Sequence, residues 1–344
     1  MKERIIDQIR ANGPVPFEQF MDWALYGEGG FFAGTVLRSD KAGDFLTSPE
    51  VSSLFGETLA EYVAAERDRI GEPFELVEVA AGSGSLLQPL IARLDVAVRA
   101  VEASPAARDS LSELIGPTAV SAELPESIRG VVIANELVDN LPMAVAQRMD
   151  GRWRERWIGL DGEELAFVDA EPRQEVVDWL ARYGGEVADG GWVEVQVEAQ
   201  RWLEDVLDRL EAGSVLIIDY GDTADNLLSR RQDGTLRTYR AHHLGPHPLD
   251  EPGQTDITAD VNFTALIAVA EQQGATVELH RQDDFLAGLG LRERLSEIRR
   301  AELAEARRGD EIARLRLRTL KTEAETLLHP RGLGDFRVLE IRVR

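Results

Sequence analysis

Apolar positions recur along this chain in two periods, and each change of period marks a new element. Near the start, Ile5, Ile6 and Ile9 share one helical face, and Pro14 and Pro16 end that helix. Phe17 to Tyr26 predicts a second short helix, closed by Gly27-Glu-Gly-Gly30, and residues 31–41 read as irregular. After Gly43-Asp-Phe-Leu-Thr-Ser-Pro-Glu50 a long helix is expected to about Asp68. Ser48 is its expected N-cap, with Pro49 at the first helical position and Glu50 beside the positive helix end. From residue 74 strand and helix patterns alternate: strands at 74–80, 97–102 and 130–135, helices at 85–93 and 105–115. Val131-Val-Ile-Ala134 and Ser214-Val-Leu-Ile-Ile-Asp219 are continuously apolar, as central parallel strands are when both faces are covered. The alternation predicts a doubly wound α/β fold.

The rest of the pattern is less regular. Residues 143–200 read as an insertion, with Trp153-Arg-Glu-Arg-Trp-Ile158 and Glu164-Leu-Ala-Phe-Val168 paired around an Asp161-Gly162 turn. Residues 222–262 have little apolar periodicity and are rich in Asp, Gly, Pro and His, which predicts a long loop, either functional or disordered. Phe263 to Gln273 reads as helix and Thr276 to His280 as strand. Residues 291–328 form a charged amphipathic helical region whose Leu295, Ile298, Leu303, Ile312, Leu315, Leu317, Leu320 and Leu327 read most simply as core-facing, or else as a surface for a protein substrate. Phe336 to Val343 alternates strictly, as a last antiparallel strand would. The expected organisation is an N-terminal helical or lid region at 1–70. A large α/β domain at 71–344 follows, with insertions at 143–200 and 222–262.

Composition narrows the partners. The 344 residues carry a formal net charge of −24, which argues against nucleic acid and against anionic membrane surfaces. It suits a cationic partner or a cationic side chain, although acidity alone also serves solubility. There is no cysteine, so disulfides, thiolate metal sites and a cysteine nucleophile are excluded. His242, His243 and His247 lack a metal-ligand spacing, so no metal is expected. No apolar run of membrane-spanning length occurs, and the N-terminus does not read as a signal peptide, which together lead to a cytoplasmic expectation.

The chemistry concentrates in Phe74-Glu-Leu-Val-Glu-Val-Ala-Ala-Gly-Ser-Gly-Ser-Leu86 and in Val98-Arg-Ala-Val-Glu102. A glycine turn at the carboxyl end of one strand and an acid at the end of the next is how α/β folds grip a nucleoside. The turn admits backbone to the ligand, and Glu102 is placed to take both ribose hydroxyls. No glycine follows Gly84 three residues on, and no phosphate-loop lysine is present. That favours S-adenosylmethionine over NAD or ATP. Gly82 and Gly84 would face the methionine part, with Ala80 and Ala103 beside them. Glu78 either binds the cofactor's amino group or is a satisfied buried acid.

Further segments continue in order: Gly43-Asp-Phe-Leu-Thr-Ser-Pro-Glu-Val51, Leu54-Phe-Gly-Glu57, Ala134-Asn-Glu-Leu-Val-Asp139 with Leu141-Pro142, Trp153-Arg-Glu-Arg156, Ile218-Asp-Tyr-Gly221, Thr235-Leu-Arg-Thr-Tyr-Arg240 with His242, and Asp256-Ile-Thr-Ala-Asp-Val261. Together with the glycine loop and Val101-Glu-Ala-Ser-Pro105, this set resembles the MidA-like methyltransferases, from about Pro16 to Leu339. The sequence departs from the family at Ala80-Ala-Gly-Ser-Gly84, where a Gly-Pro-Gly is common, at Gln196-Val197 in place of Cys-Pro, and at the shortened Leu333-Gly-Asp-Phe336.

The resemblance implies a class I methyltransferase fold with a mostly parallel seven-stranded sheet. It also implies S-adenosylmethionine as cofactor and methylation of arginine in a partner protein, a respiratory complex I subunit being the family's best-known target. In such a fold Asn135, Glu136 and Asp139 follow the fourth strand, where acceptor-facing groups sit; Asn135 and Glu136 are expected to face the cofactor's methyl end, with Glu136 and Asp139 holding the acceptor. Alternatively these acids begin a helix. Thr47, Ser48 and Glu50 read as part of a lid over the cofactor. His242 and Asp256 belong either to the substrate cleft or to hydrogen bonds that staple the loop. A small-molecule methyltransferase and a non-catalytic cofactor-binding assembly factor stay open as rivals, as does oligomerisation.

Overall fold

The computed structural model describes residues 1–33, 47–230, 233–240 and 243–343, with backbone alone at 228–230. Its centre is a seven-stranded sheet of β1 (Glu75–Val79), β2 (Ala97–Val101), β3 (Val120–Ser121), β4 (Ile128–Asn135), β5 (Leu210–Asp219), β6 (Thr276–Arg281) and β7 (Arg337–Val343). The spatial order is β6-β7-β5-β4-β1-β2-β3. β1 to β5 run parallel, and β7 inserts antiparallel between β5 and β6. This is the expected class I arrangement. The strand order reverses direction between β1 and β4, and ligands of open α/β sheets bind at the carboxyl ends beside such a switch.

Both sheet faces are covered, which is why the central strands read as unbroken apolar runs. On one side Leu76, Val131, Ile133, Leu216 and Ile218 pack with Leu54, Phe55, Leu59 and Val63 of the helix Ser53–Ile70. On the other, Val77, Val132, Val215 and Ile217 meet Leu203, Val206 and Leu207 of the helix Val197–Arg209 and Phe263 and Leu266 of Phe263–Gln272. A third cluster joins Ile5, Phe17, Phe20 and Leu25 of the N-terminal helices to Met143, Val145 and Ile158. Those last residues lie on or beside a five-stranded antiparallel sheet formed by Ala144–Met149, Arg152–Asp161, Glu164–Ala170, Trp192–Val195 and Val15–Pro16.

Three local expectations differ from the structure. The helix expected from Ser48 is two helices, Ser48–Val51 and Ser53–Ile70, because Ser52 is extended and its Oγ accepts the Leu54 N–H at 3.2 Å as a fresh cap. The first of these is capped by Thr47, one residue earlier than expected, and Glu50 Oε2 accepts the Thr47 N–H at 3.0 Å. Residues 222–262 hold a helix, Ala224–Arg230, and a sheet of Arg237–Arg240, His243–Leu244 and Asp256–Thr258. Strands of two to four residues, filled with Thr, Asp, Arg and His, are too short for a period to register. In the helical region, Leu291–Arg308 and Glu311–Leu327 bury Leu295, Ile298 and Leu327, yet Leu303, Ile312 and Leu315 are more than half exposed.

Candidate active site

A cavity of about 320 Å³ opens at the carboxyl ends of β1, β2 and β4. One end is built by the turn after β1. Ala80, Gly82 and Gly84 all have left-handed backbone, with φ of 58°, 53° and 78°. Glycine takes that conformation freely; Ala80 takes it at a cost. A Cβ at Gly84 would also come within 2.9 Å of Leu114, so the turn packs directly on the helix Pro105–Ile115. Glu102, at the end of β2, accepts the Gly82 N–H at 2.9 Å through one oxygen and the Ser104 N–H at 2.7 Å through the other. The acid is thereby fixed against the turn, and Arg108 clamps the peptide carbonyls of Glu102 and Ala103 at 2.7 Å each. Glu78 lies beneath, with its Oε2 buried and without a hydrogen-bond partner. Burial, then the nearby Glu102 charge, pushes the Glu78 carboxyl up to about 8.

The other end is built from distant segments. Glu136 follows β4 with φ 52°, a strained conformation for a residue with a side chain. It is held because its N–H donates to the Ile218 carbonyl at 2.8 Å. Its Oε1 lies 3.4 Å from both the Ser48 N–H and the Asn135 amide nitrogen. Burial first, then the Asp139 charge, pushes its carboxyl up to about 8. Asp219, at the end of β5, anchors this turn by accepting N–H groups from Val138, Asp139 and Tyr220 at 3.0, 3.2 and 2.9 Å. Burial and the neighbouring Asp139 and Glu136 hold the Asp219 carboxyl well above its ordinary range.

Of the residues singled out in the sequence, Thr47, Glu50, Glu78, Ala80, Gly82, Glu102, Ala103, Asn135 and Glu136 line this cavity. The other described ones sit behind it. Ser48 is buried, its Oγ accepting from the Gln282 amide at 3.2 Å, and Gly84 supports the turn. Asp139 points away: Tyr220 Oη and Thr258 Oγ1 both donate to its Oδ2. Asp256 accepts from the Asn140 amide at 2.7 Å. His242 lies outside the described residues. The wall also includes residues the sequence reading passed over: Tyr26 and Phe32 at one end, and Ala122, Leu124 and Trp202 near the end of β3. None sits in a glycine turn or at an acid-bearing strand end, so no local signal singles them out.

The lining suits the cofactor expected from the sequence. Glu50, Glu78, Glu102 and Glu136 all face the space, and no Lys, Arg or His lines it among the described residues. A sulfonium and an α-amino group are both cationic and would meet acids there, Glu78 Oε2 being the unpartnered one.

Comparison with known proteins agrees. The family described as "Putative S-adenosyl-L-methionine-dependent methyltransferase" matches residues 58–280. The Drosophila melanogaster homolog of the mitochondrial protein arginine methyltransferase NDUFAF7 is 29% identical over 315 residues, covering 78% of this chain and 69% of that protein. Xenopus tropicalis NDUFAF7, also mitochondrial, is 29% identical over 337 residues, covering 85% of this chain and 75% of that protein. A Burkholderia thailandensis protein crystallised with S-adenosyl-homocysteine superposes with a TM-score of 0.88 at 26% identity, covering 99% of this chain and 91% of that one. The mitochondrial names of the curated relatives overturn the cytoplasmic expectation; charge and hydropathy report solubility, and neither encodes a compartment. The cofactor is S-adenosylmethionine, and the chain belongs to the MidA-like family of S-adenosylmethionine-dependent methyltransferases.

Proposed function

We propose that this enzyme methylates arginine side chains of a partner protein. The observation that carries the reading is the cavity itself: among the described residues four glutamates line it, no cationic side chain does, and one of the four, Glu136, is held in strained backbone at the end away from the glycine turn. A guanidinium is a cation such a surface receives well, because carboxylates both attract it and fix the direction of its N–H groups. The names of the curated relatives, protein arginine methyltransferases, support the same acceptor class. Within that reading, the resemblance of the motifs points to a respiratory complex I subunit as the partner.

Bound S-adenosylmethionine supplies an electrophilic methyl group on a sulfonium. The residues of the chain do the rest. Glu102 and the backbone of the 80–84 turn hold the nucleoside and the methionine part, and Glu78 takes the amino group. Thr47 and Glu50 line the cavity, and the Ser48 N–H backs it beside Glu136. Glu136 holds the guanidinium with one nitrogen in line, and alignment is the main catalytic task of a displacement. That nitrogen forms the new N–CH3 bond as the S–CH3 bond breaks, and it gives up a proton. Burial raises the Glu136 carboxyl; the arriving cation ionises it, and the carboxylate so formed is placed to receive that proton. Asp139, Tyr220, Thr258, Asn140 and Asp256 act behind it as positioning groups. The test is transfer of labelled methyl from S-adenosylmethionine to arginine-bearing peptides of complex I subunits, with lysine-substituted peptides alongside. Label on the arginine peptides alone supports the reading. Equal label on both, or none on either from a protein that binds the cofactor, overturns it.

A further inference from the structure

We infer that the stacked pair Tyr26–Phe32 is the wall against which the acceptor's flat cation lies, and that this wall is what distinguishes guanidinium from ammonium. The inference deepens the arginine reading and rests on it. Both rings line the cavity together with Glu136, and neither is fully buried. They stack with centroids 5.6 Å apart and planes 25° apart. Carboxylates alone attract lysine as well as arginine. An aromatic face adds a preference for a planar, weakly hydrated guanidinium, which stacks as well as pairs.

The pair is held in place before any ligand arrives. Tyr26 donates its hydroxyl to the Asn140 carbonyl at 3.1 Å, tying the ring to the segment that carries Glu136. The Phe32 N–H donates to the Leu25 carbonyl at 2.8 Å, and the Phe31 N–H to the Ala24 carbonyl at 2.9 Å. Phe32 also meets the fully buried Phe31 edge to face at 5.0 Å. These contacts turn the Gly27–Gly30 connection back on the helix Phe17–Leu25 and leave the Tyr26–Phe32 pair facing the cavity. Burial and the carboxylates of Asp139, Asp256 and Glu102 keep the Tyr26 phenol neutral, so it remains a donor and adds no charge of its own.

The test separates this wall from the cofactor site and from folding. Phe32→Leu keeps the volume and removes the π face; Phe32→Tyr keeps the face. The Phe32→Leu protein is expected to raise KM for an arginine peptide about tenfold, with kcat less affected, the affinity for S-adenosylmethionine by calorimetry unchanged, and Phe32→Tyr near wild type. An unchanged KM, or cofactor affinity that weakens in step with KM, would overturn the inference. A second measurement needs no variant: an alkylguanidine should compete with the peptide on the wild-type enzyme about tenfold better than an alkylamine of equal length. Equal competition refutes the wall even if arginine is the acceptor. A wild-type enzyme that transfers nothing to arginine refutes the underlying reading, and the wall with it.

Discussion

The two ends of the cavity are made in different ways. The end at the glycine turn is local: residues 78–84 and 102–104 supply it, and its acid is satisfied by backbone N–H groups at 2.7 and 2.9 Å. The end at Glu136 is assembled from Ser48 and Asn135, with Asp219, Tyr220, Asp256 and Thr258 behind it, and Tyr26 and Phe32 line the same cavity. Backbone donors make a rigid grip on a constant ligand. Buried acids with raised pKa values make a site whose charge changes with what enters it. On the proposed reading, one cavity combines a fixed cofactor end with an acceptor end tuned by burial.

The sharpest way to break this contrast is to neutralise one acid at each end. Glu136→Gln should lower transfer to an arginine peptide about 100- to 1,000-fold while leaving cofactor affinity intact, as expected of a group aimed at the reacting centre. Turnover near wild type would remove Glu136 from the chemistry. Glu102→Ala should do the reverse: cofactor binding weakens about 10- to 100-fold, the loss expected for charged hydrogen bonds. Calorimetry decides it, and an unchanged dissociation constant would mean that Glu102 only holds the turn.

A pH experiment probes the burial directly. Glu78 and Glu136 are each pushed up to about 8, so both are largely protonated in the free protein at pH 7. In the unfolded chain they ionise near 4.3, so the free protein loses stability as pH rises from about 4.3 to about 8. A cationic ligand stabilises the carboxylates and lowers these values. Binding of S-adenosylmethionine at pH 7 should therefore release protons, and more than S-adenosylhomocysteine, which lacks the sulfonium charge. Binding heats that are the same in buffers of different ionisation enthalpy would count against this account.

The smallest effect should come from Ala80→Gly. It relieves a left-handed alanine at φ 58° and should raise the melting temperature by about 2 °C, for about 1 kcal/mol of strain. Cofactor affinity should not change. A lower melting temperature would show that the alanine methyl packs usefully.

The sequence by itself determined the parallel core and the cofactor end. Runs such as Val131–Ala134 encode buried strands, and the Ala80–Gly84 turn and Glu102 each mark the end of a strand whose apolar pattern is itself legible. Such features are legible because local backbone preference and hydrophobic period act over one or two turns. Tertiary structure alone decided the Glu136 end. It turned the Asp139 carboxylate toward Tyr220 and Thr258 and set Asp256 behind Asn140. It also brought the Tyr26–Phe32 pair and Trp202 to one cavity from positions far apart in the chain. The direction of a side chain at such a place is set by packing and hydrogen bonds between segments 81 to 119 residues apart, and no local pattern carries that information.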